Sequence, residues 1–405
     1  QYPLQVKLFE YLVATLKRQT VAIDEYYYDS TFVQFHHPSE NKSLSPGKLL
    51  TRYQHRTLLI MGDASPFIEN KPETYNRGAV LLIKRWIHKA IITPASFPDW
   101  GQPEKDTLQS SLPVFPADME ALVVMAEFMA HTGKEFDLAA RLGQLKHLFY
   151  KAADIDFTDI TALQAYCDTA GWAVINAKTG QRENVLFQWI AALAVYPEIR
   201  WEVILAIGKV ILEKYNCRVE LNYNNLLKIV RISWVREAVF PETTRLELLK
   251  CLTVENEVIA RQTMLMLLQE IPERQLPAGS ETRRQKEVQE IINEFSLYAH
   301  APVYFEKYKR ASGLFEALWQ KNALQDAPLE IYLKNPNREW GTLIHQPAGS
   351  NTTVSASIGE YFTASHQEEN ILSQLYLWLC IISLLVFLFS LAAIYIINVQ
   401  FKISV

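Results

Sequence analysis

The sequence is poor in cysteine, and its four cysteines show no paired spacing. Cys167, Cys217 and Cys251 are far apart in the chain, and Cys380 lies inside a long apolar run near the end. This distribution suggests neither a disulfide framework nor a zinc site. We therefore expect buried free thiols in a reducing compartment.

A strong net charge and the common enzyme signatures are also missing. The 40 Lys and Arg residues against 44 Asp and Glu residues leave a formal net charge of −4, which gives no support for a nucleic-acid partner. The sequence contains no G-x-S-x-G, H-E-x-x-H or G-x-G-x-x-G motif and no complete phosphate loop. A hydrolase remains open as an alternative, with Ser65, Cys167 or Cys217 as a nucleophile whose base the fold supplies.

Charge is absent from the whole segment Leu375–Ile397, which reads LYLWLCIISLLVFLFSLAAIYII. A helix rises about 1.5 Å per residue, so this segment is long enough to cross a hydrocarbon core of about 30 Å. Trp378 and Tyr395 lie near its ends, where aromatic rings favour the headgroup region. We therefore predict a single-pass membrane helix, with Leu375, Trp378, Phe387 and Tyr395 among its anchoring residues and the lipid bilayer as a partner.

The orientation of this helix depends on little charge. Glu360, Glu368 and Glu369 precede it, and Lys402 is the basic residue that follows it. The positive-inside rule read alone places the C-terminal end inside and the large N-terminal region outside. Because free thiols and the lack of a visible export signal favour the cytoplasm, we predict a cytoplasmic N-terminal region, with the opposite orientation left open.

Helix and strand signals alternate in the first third of the chain. Leu4–Arg18 has the apolar spacing of an amphipathic helix, and the aromatic run Val21–Phe32 predicts a strand. Three further apolar runs predict strands, and a helical pattern follows the first of them: Thr57–Gly62, Gly78–His88, Lys89–Ser96 and Leu112–Phe115. This order is typical of an α/β fold with an open parallel sheet.

Helical patterns then replace strands, which predicts the following organisation. An α/β domain over residues 1–116 precedes an α-helical domain over residues 117–324. Residues 325–370 read as a linker rich in Pro, Gly, Ser, Thr and Asn, followed by the membrane helix in residues 371–399 and a short tail in residues 400–405.

The segment MGDASPF carries the sharpest local motif, because Asp63 and Ser65 directly follow a predicted strand. The elements Leu4–Arg18, Val21–Tyr28 and TLLIMGDA together resemble a von Willebrand factor A-type, Rossmann-like domain entered just after its first strand. The resemblance covers about 115 residues and implies an N-terminally incomplete domain. It also implies a divalent cation, such as Mg²⁺, at Asp63 with Ser65. The DxSxS motif that supplies most of that metal site in the family has no counterpart in this sequence, and Asp63 has the alternative role of a turn or helix cap.

The helical middle adds a second resemblance. IAALAVYPEIRWEVILAIG and NYNNLLKIVRISWVREAVFPETTRLELL are similar to segments of large bacterial multidomain proteins that place such a domain before helices and a membrane span. The resemblance implies a non-catalytic scaffold for signalling that binds other proteins at the membrane. A structural spacer that carries further modules beyond Val405 is the remaining alternative.

Overall fold

The computed structural model describes most of the chain up to residue 300 and four residues beyond it. The described residues are 2–18, 21–28, 34–38, 43–62, 77–101, 104–105, 112–130, 136–175, 180, 182–272, 276–277, 279–300, 326, 328–329 and 332. The chain divides into two units, Gln1–Thr342 and Leu343–Val405, and all described residues belong to the first. The predicted membrane helix lies outside the described residues; within them, no helix is both long and apolar enough to cross a bilayer.

A small antiparallel sheet comes first in the chain. Its strands lie in the order β1-β2-β3, and their bounds are β1 (Tyr27–Tyr28), β2 (Phe35–His36) and β3 (Ser43–Leu44). The strand predicted over Val21–Phe32 is thus reduced to β1 in its described part. The residues just before β1 contact helices through their side chains. Glu25 forms an ion pair with Lys17 of the helix Pro3–Arg18, and the Tyr26 hydroxyl forms a hydrogen bond with that of Tyr53 in the helix Pro46–Tyr53.

Three parallel strands form the central sheet, in the order β4-β5-β6. Their bounds are β4 (Leu58–Met61), β5 (Lys89–Thr93) and β6 (Val114–Pro116). Ile91, the central residue of β5, is paired with Ile60 of β4 on one side and with Val114 of β6 on the other. Because β5 is covered on both faces, its residues Ala90, Ile91 and Ile92 are each only 1% exposed, as a continuous apolar run predicts. The mixed α/β class with a parallel sheet is confirmed.

Helices make up most of the remaining described chain, together with one short hairpin, β7 (Ala173–Ile175) and β8 (Arg182–Asn184). The α-helices are α1 (Pro3–Arg18), α2 (Pro46–Tyr53), α3 (Arg77–Lys84), α4 (Met119–Ala130), α5 (Leu138–Gln144), α6 (Ile160–Ala170), α7 (Val185–Leu193), α8 (Trp201–Lys214), α9 (Tyr223–Val230), α10 (Ser233–Arg236), α11 (Glu242–Cys251), α12 (Val254–Glu270) and α13 (Glu281–His300). Polar caps fix several helix starts; Asn184, for example, accepts a hydrogen bond of 2.9 Å from the Phe187 N–H at the start of α7.

Two hydrophobic cores hold these elements together, and both contain residues from either side of position 116. The larger core, among the helices, includes Leu8 and Leu12 of α1. The smaller core surrounds the parallel sheet and includes Ala121 and Val124 of α4. The first helix of the chain therefore packs with the helical part, and the segment after β6 packs with the sheet. The domain limits inferred from the sequence stay predictions.

The described residues beyond position 325 lie in the helical core. Leu329 and Tyr332 are 0% and 1% exposed, and Asp326 is 4% exposed. Asp326 forms a bidentate ion pair with Arg245 of α11. The Tyr332 hydroxyl donates a 2.6 Å hydrogen bond to Glu257 of α12. Asp326, Leu329 and Tyr332, which belong to the predicted linker, are therefore packed against the helices.

Candidate ligand-binding cleft

A cleft of about 1250 Å³ lies at the carboxyl ends of β4 and β5. This is the edge of an open parallel sheet at which ligands usually bind. The lining residues come from α1, the segment 21–28, β4, the turn after β5, the loop 152–157 and the start of α10. The cleft is therefore formed by the sheet and the helical part together, and neither predicted domain contains it alone.

A buried ion pair lies beside the cleft, and its Arg231 is one of the lining residues. Arg231 donates to both carboxylate oxygens of Asp118, at 2.8 and 2.6 Å, and its Nε donates to the Pro94 carbonyl at 2.9 Å. Burial alone would lower the pKa of Arg231, but the hydrogen bonds and charge of Asp118 outweigh it and raise that pKa, so the guanidinium stays charged. Because Asp118 follows β6 and Pro94 follows β5, the pair fixes the ends of two strands to the helical part.

Two polar groups in the turn after β5 are left with hydrogen-bonding capacity. Ser96 is 0% exposed, and within the described part of the chain its Oγ has no hydrogen-bond partner. Asp99 accepts a hydrogen bond of 2.8 Å from the Ala152 N–H through Oδ2, while among the same residues its Oδ1 has none. Both residues line the cleft. A ligand with a hydrogen-bond donor would satisfy them.

Three consecutive tyrosines form one wall. The Tyr26 hydroxyl lies 2.9 Å from that of Tyr53, Tyr27 donates to Glu10 at 2.8 Å, and Tyr28 donates to the Met61 carbonyl at 3.0 Å. Burial, followed by these hydrogen bonds, raises the pKa of Tyr26 and of Tyr27 to about 12. The wall is thus neutral at physiological pH and combines aromatic surface with hydroxyl groups.

The predicted metal ligands follow a residue that lines this cleft, Gly62, but they are outside the described residues. β4 ends at Met61, and Gly62 follows with φ 153°, a backbone conformation that favours glycine. Asp63 and Ser65 come directly after it and are not described, so the Mg²⁺ site remains a prediction. Within the described residues there is no cluster of three or more His, Cys, Asp or Glu side chains able to hold a metal ion.

The candidate nucleophiles lie away from the cleft or outside the described residues. Cys167, Cys217 and Cys251 are free thiols. Burial raises the pKa of Cys167 well above its usual value, which keeps this thiol protonated and unreactive. Cys217 donates through Sγ to the Tyr215 carbonyl at 3.3 Å, and Ser65 is not described.

The Arg231–Asp118 ion pair and the polar residues after β5 were not identified from the sequence as parts of a site. Ser96 was predicted only as the end of a strand. A polar residue just after a buried parallel strand is the signal that would have selected Ser96. Arg231 carries no local signal, because its partner Asp118 lies 113 positions earlier.

Comparison with models of known protein families, with curated proteins and with solved structures finds no match to this chain.

Proposed function

We propose that this chain is a non-catalytic protein-interaction module of a bacterial signalling system, held at a membrane by Leu375–Ile397, and that the cleft is its binding site. In this proposal the sheet with its flanking helices is a von Willebrand factor A-type domain, and the large N-terminal region is cytoplasmic. The observation that carries the proposal is the cleft of about 1250 Å³ at the carboxyl ends of β4 and β5.

The composition of the cleft lining supports a polypeptide ligand. Tyr26, Tyr27, Tyr28 and Trp86 are of the residue types that are enriched in the centres of protein interfaces. The lining also carries both signs of charge. Its acidic and basic residues are Glu10, Asp24, Glu25, Asp99, Glu104, Arg56, Arg231 and Arg236. A surface that combines aromatic groups with charges of both signs matches a polypeptide ligand better than it matches a ligand that carries charge of one sign.

A membrane tether would help such a module by raising the effective concentration of partners held at the same surface. A divalent cation bound by Asp63 and Ser65 belongs to the same proposal. Asp63 directly follows Gly62, which lines the cleft. The uncharged run from Leu375 to Ile397 supports the membrane part of the proposal.

Site-specific photo-crosslinking in isolated membranes tests the site. A photoreactive phenylalanine analogue replaces Tyr26 in one variant, Tyr2 in a second and Val219 in a control, because Tyr2 and Tyr26 line the cleft and Val219 is 73% exposed and lies outside it. We expect the two cleft variants to crosslink to the same polypeptide and the control to leave it unlabelled. Equal labelling from all three positions would show that the cleft is not the binding site.

The same preparation tests the anchor. The full chain should sediment with membranes at high speed, resist extraction by salt and dissolve in detergent. Recovery in the supernatant without detergent would contradict the membrane proposal while leaving the crosslinking result to be judged by itself.

A further inference from the structure

The outer edge of β4 is unpaired in the described part of the chain. Leu58 donates its N–H group to the carbonyl of His88, just before β5, and Gly62 donates to the carbonyl of Ile92 in β5, each at 2.9 Å. Successive residues of a strand bond to opposite neighbours, so the backbone groups of Leu59 and Met61 face the other side. No described strand pairs with them there, since β4 ends the order β4-β5-β6.

This edge opens into the cleft. Leu58, Leu59 and Met61 line the cleft, and Leu59 is 36% exposed, although strands of parallel sheets are normally buried. Across the gap, a side chain of β1 reaches the edge, because the Tyr28 hydroxyl donates to the Met61 carbonyl at 3.0 Å. A side chain therefore occupies one acceptor that a strand backbone would otherwise take.

Apolar side chains also line the cleft, in addition to the charged ones named above. Phe9 and Val13 line it from α1, and Leu49, Tyr53 and Trp86 also line it. Parallel strands that are covered on both faces are apolar at successive positions. The surroundings of this edge therefore favour an extended segment with apolar side chains pointing both ways.

We propose that the cleft accepts an extended, apolar segment of another polypeptide, which adds as a strand to the free edge of β4. The proposal rests on the proposed binding function and names the form of its ligand. The backbone of the segment pairs with the N–H and carbonyl groups of Leu59 and with the N–H group of Met61, whose carbonyl accepts from Tyr28. A pairing length of about four to five residues follows from the length of β4.

Proline at position 59 separates backbone pairing from side-chain contact. Leu59→Pro removes one of the two outward N–H groups of β4 but none of the N–H groups that donate to β5, so the sheet keeps its internal hydrogen bonds. Leu59→Ala is the matched control, because it removes the same side chain and keeps the N–H. Random decapeptides displayed on phage are selected on the detergent-solubilised full chain, and the enriched peptides are then measured on the three proteins.

We expect enriched peptides with a run of four or five apolar residues, bound at least about tenfold more weakly by Leu59→Pro than by Leu59→Ala. Failure to enrich any peptide would overturn the proposal. Equal binding by the two variants would also overturn it but leave the proposed function standing if crosslinking at Tyr26 persists.

Hydrogen exchange checks the fold and the edge. The Ile60 amide should be protected in all three proteins, which shows that Leu59→Pro is folded. The Met61 amide should exchange freely in the wild-type chain and become protected when the peptide binds. Protection of the Leu59 and Met61 amides in the wild-type chain without peptide would show that the edge is already occupied by the chain itself, and would overturn the proposal.

Discussion

The hydroxyl groups of Tyr26 and Tyr27 make the stability of the chain sensitive to alkaline pH. Both have a pKa raised from 10.0 to about 12, first by burial and then by hydrogen bonds to Tyr53 and Glu10. The folded chain thus holds these protons more tightly than the unfolded chain. Their contribution to stability is complete below pH 10 and is lost as the pH rises through 12.

The double variant Tyr26→Phe, Tyr27→Phe should therefore lose less stability than the wild type across this pH range. Its melting temperature starts lower at neutral pH, because each lost hydrogen bond costs about 1 kcal/mol. Melting temperatures measured between neutral pH and pH 12 provide the comparison. Curves that run parallel for the two proteins would contradict the prediction.

Single residues also show where sequence reasoning ends. The tyrosine run was predicted as a strand because of its composition, but the hydrogen bonds of its hydroxyl groups join segments that are distant in sequence. The Tyr28 hydroxyl and the Met61 carbonyl, for example, lie 33 positions apart. No local pattern encodes such a contact, so the tyrosine wall of the cleft could not be predicted.

At the scale of elements, the close contact of α7 and α8 depends on one glycine. A Cβ atom at Gly208 of α8 would lie 2.3 Å from Cζ2 of Trp189 in α7. The indole has little freedom to move, since Trp189 is 0% exposed and its Nε1 donates to the Ile204 carbonyl at 3.0 Å. The helices can approach this closely only because position 208 has no side chain.

Gly208→Ala should therefore destabilise the chain by about 1–3 kcal/mol. Gly143→Ala is the control, because a Cβ there meets nothing within 4 Å, and it should be neutral or stabilising by up to about 1 kcal/mol through helix propensity. Denaturant midpoints measure both. Similar midpoints for the two variants would contradict the close packing at Trp189.

Elements are also the scale at which the sequence was most informative. The apolar runs predicted β4 and β5 as parallel strands, and the helical patterns after residue 116 predicted the helices that include α7 and α8. Periodicity identifies a buried face but not the residue opposite it. The close contact at Gly208 was therefore not predictable, although both helices were.

At the scale of the whole molecule, an ion pair joins chain segments 81 positions apart. Arg245 and Asp326 have side chains 4% and 2% exposed, and Arg245 also donates through Nε to the Ala194 carbonyl at 2.9 Å. Asp326 accepts in turn from the Leu329 N–H at 3.1 Å. Composition placed Asp326 in a linker, because a polar residue among small and polar neighbours gives no sign of a buried partner.

Asp326→Ala should lower the free energy of unfolding by about 3–5 kcal/mol, because it leaves the Arg245 guanidinium buried without its counter-charge. Glu247→Ala removes an exposed partner of Lys250 and should cost about 0–1 kcal/mol. Urea titrations of both variants test the difference. A small effect of Asp326→Ala would mean that Arg245 finds water or another acceptor when its partner is removed.

The buried contacts of Asp326, Leu329 and Tyr332 also determine whether a protease would release the C-terminal part of the chain. A single backbone cut between residues 301 and 325 would separate the covalent chain into two fragments. Asp326, Leu329 and Tyr332 would still be held among α11 and α12 by their buried contacts. The C-terminal fragment should therefore stay bound to the helical core after cleavage and part from it only under denaturing conditions.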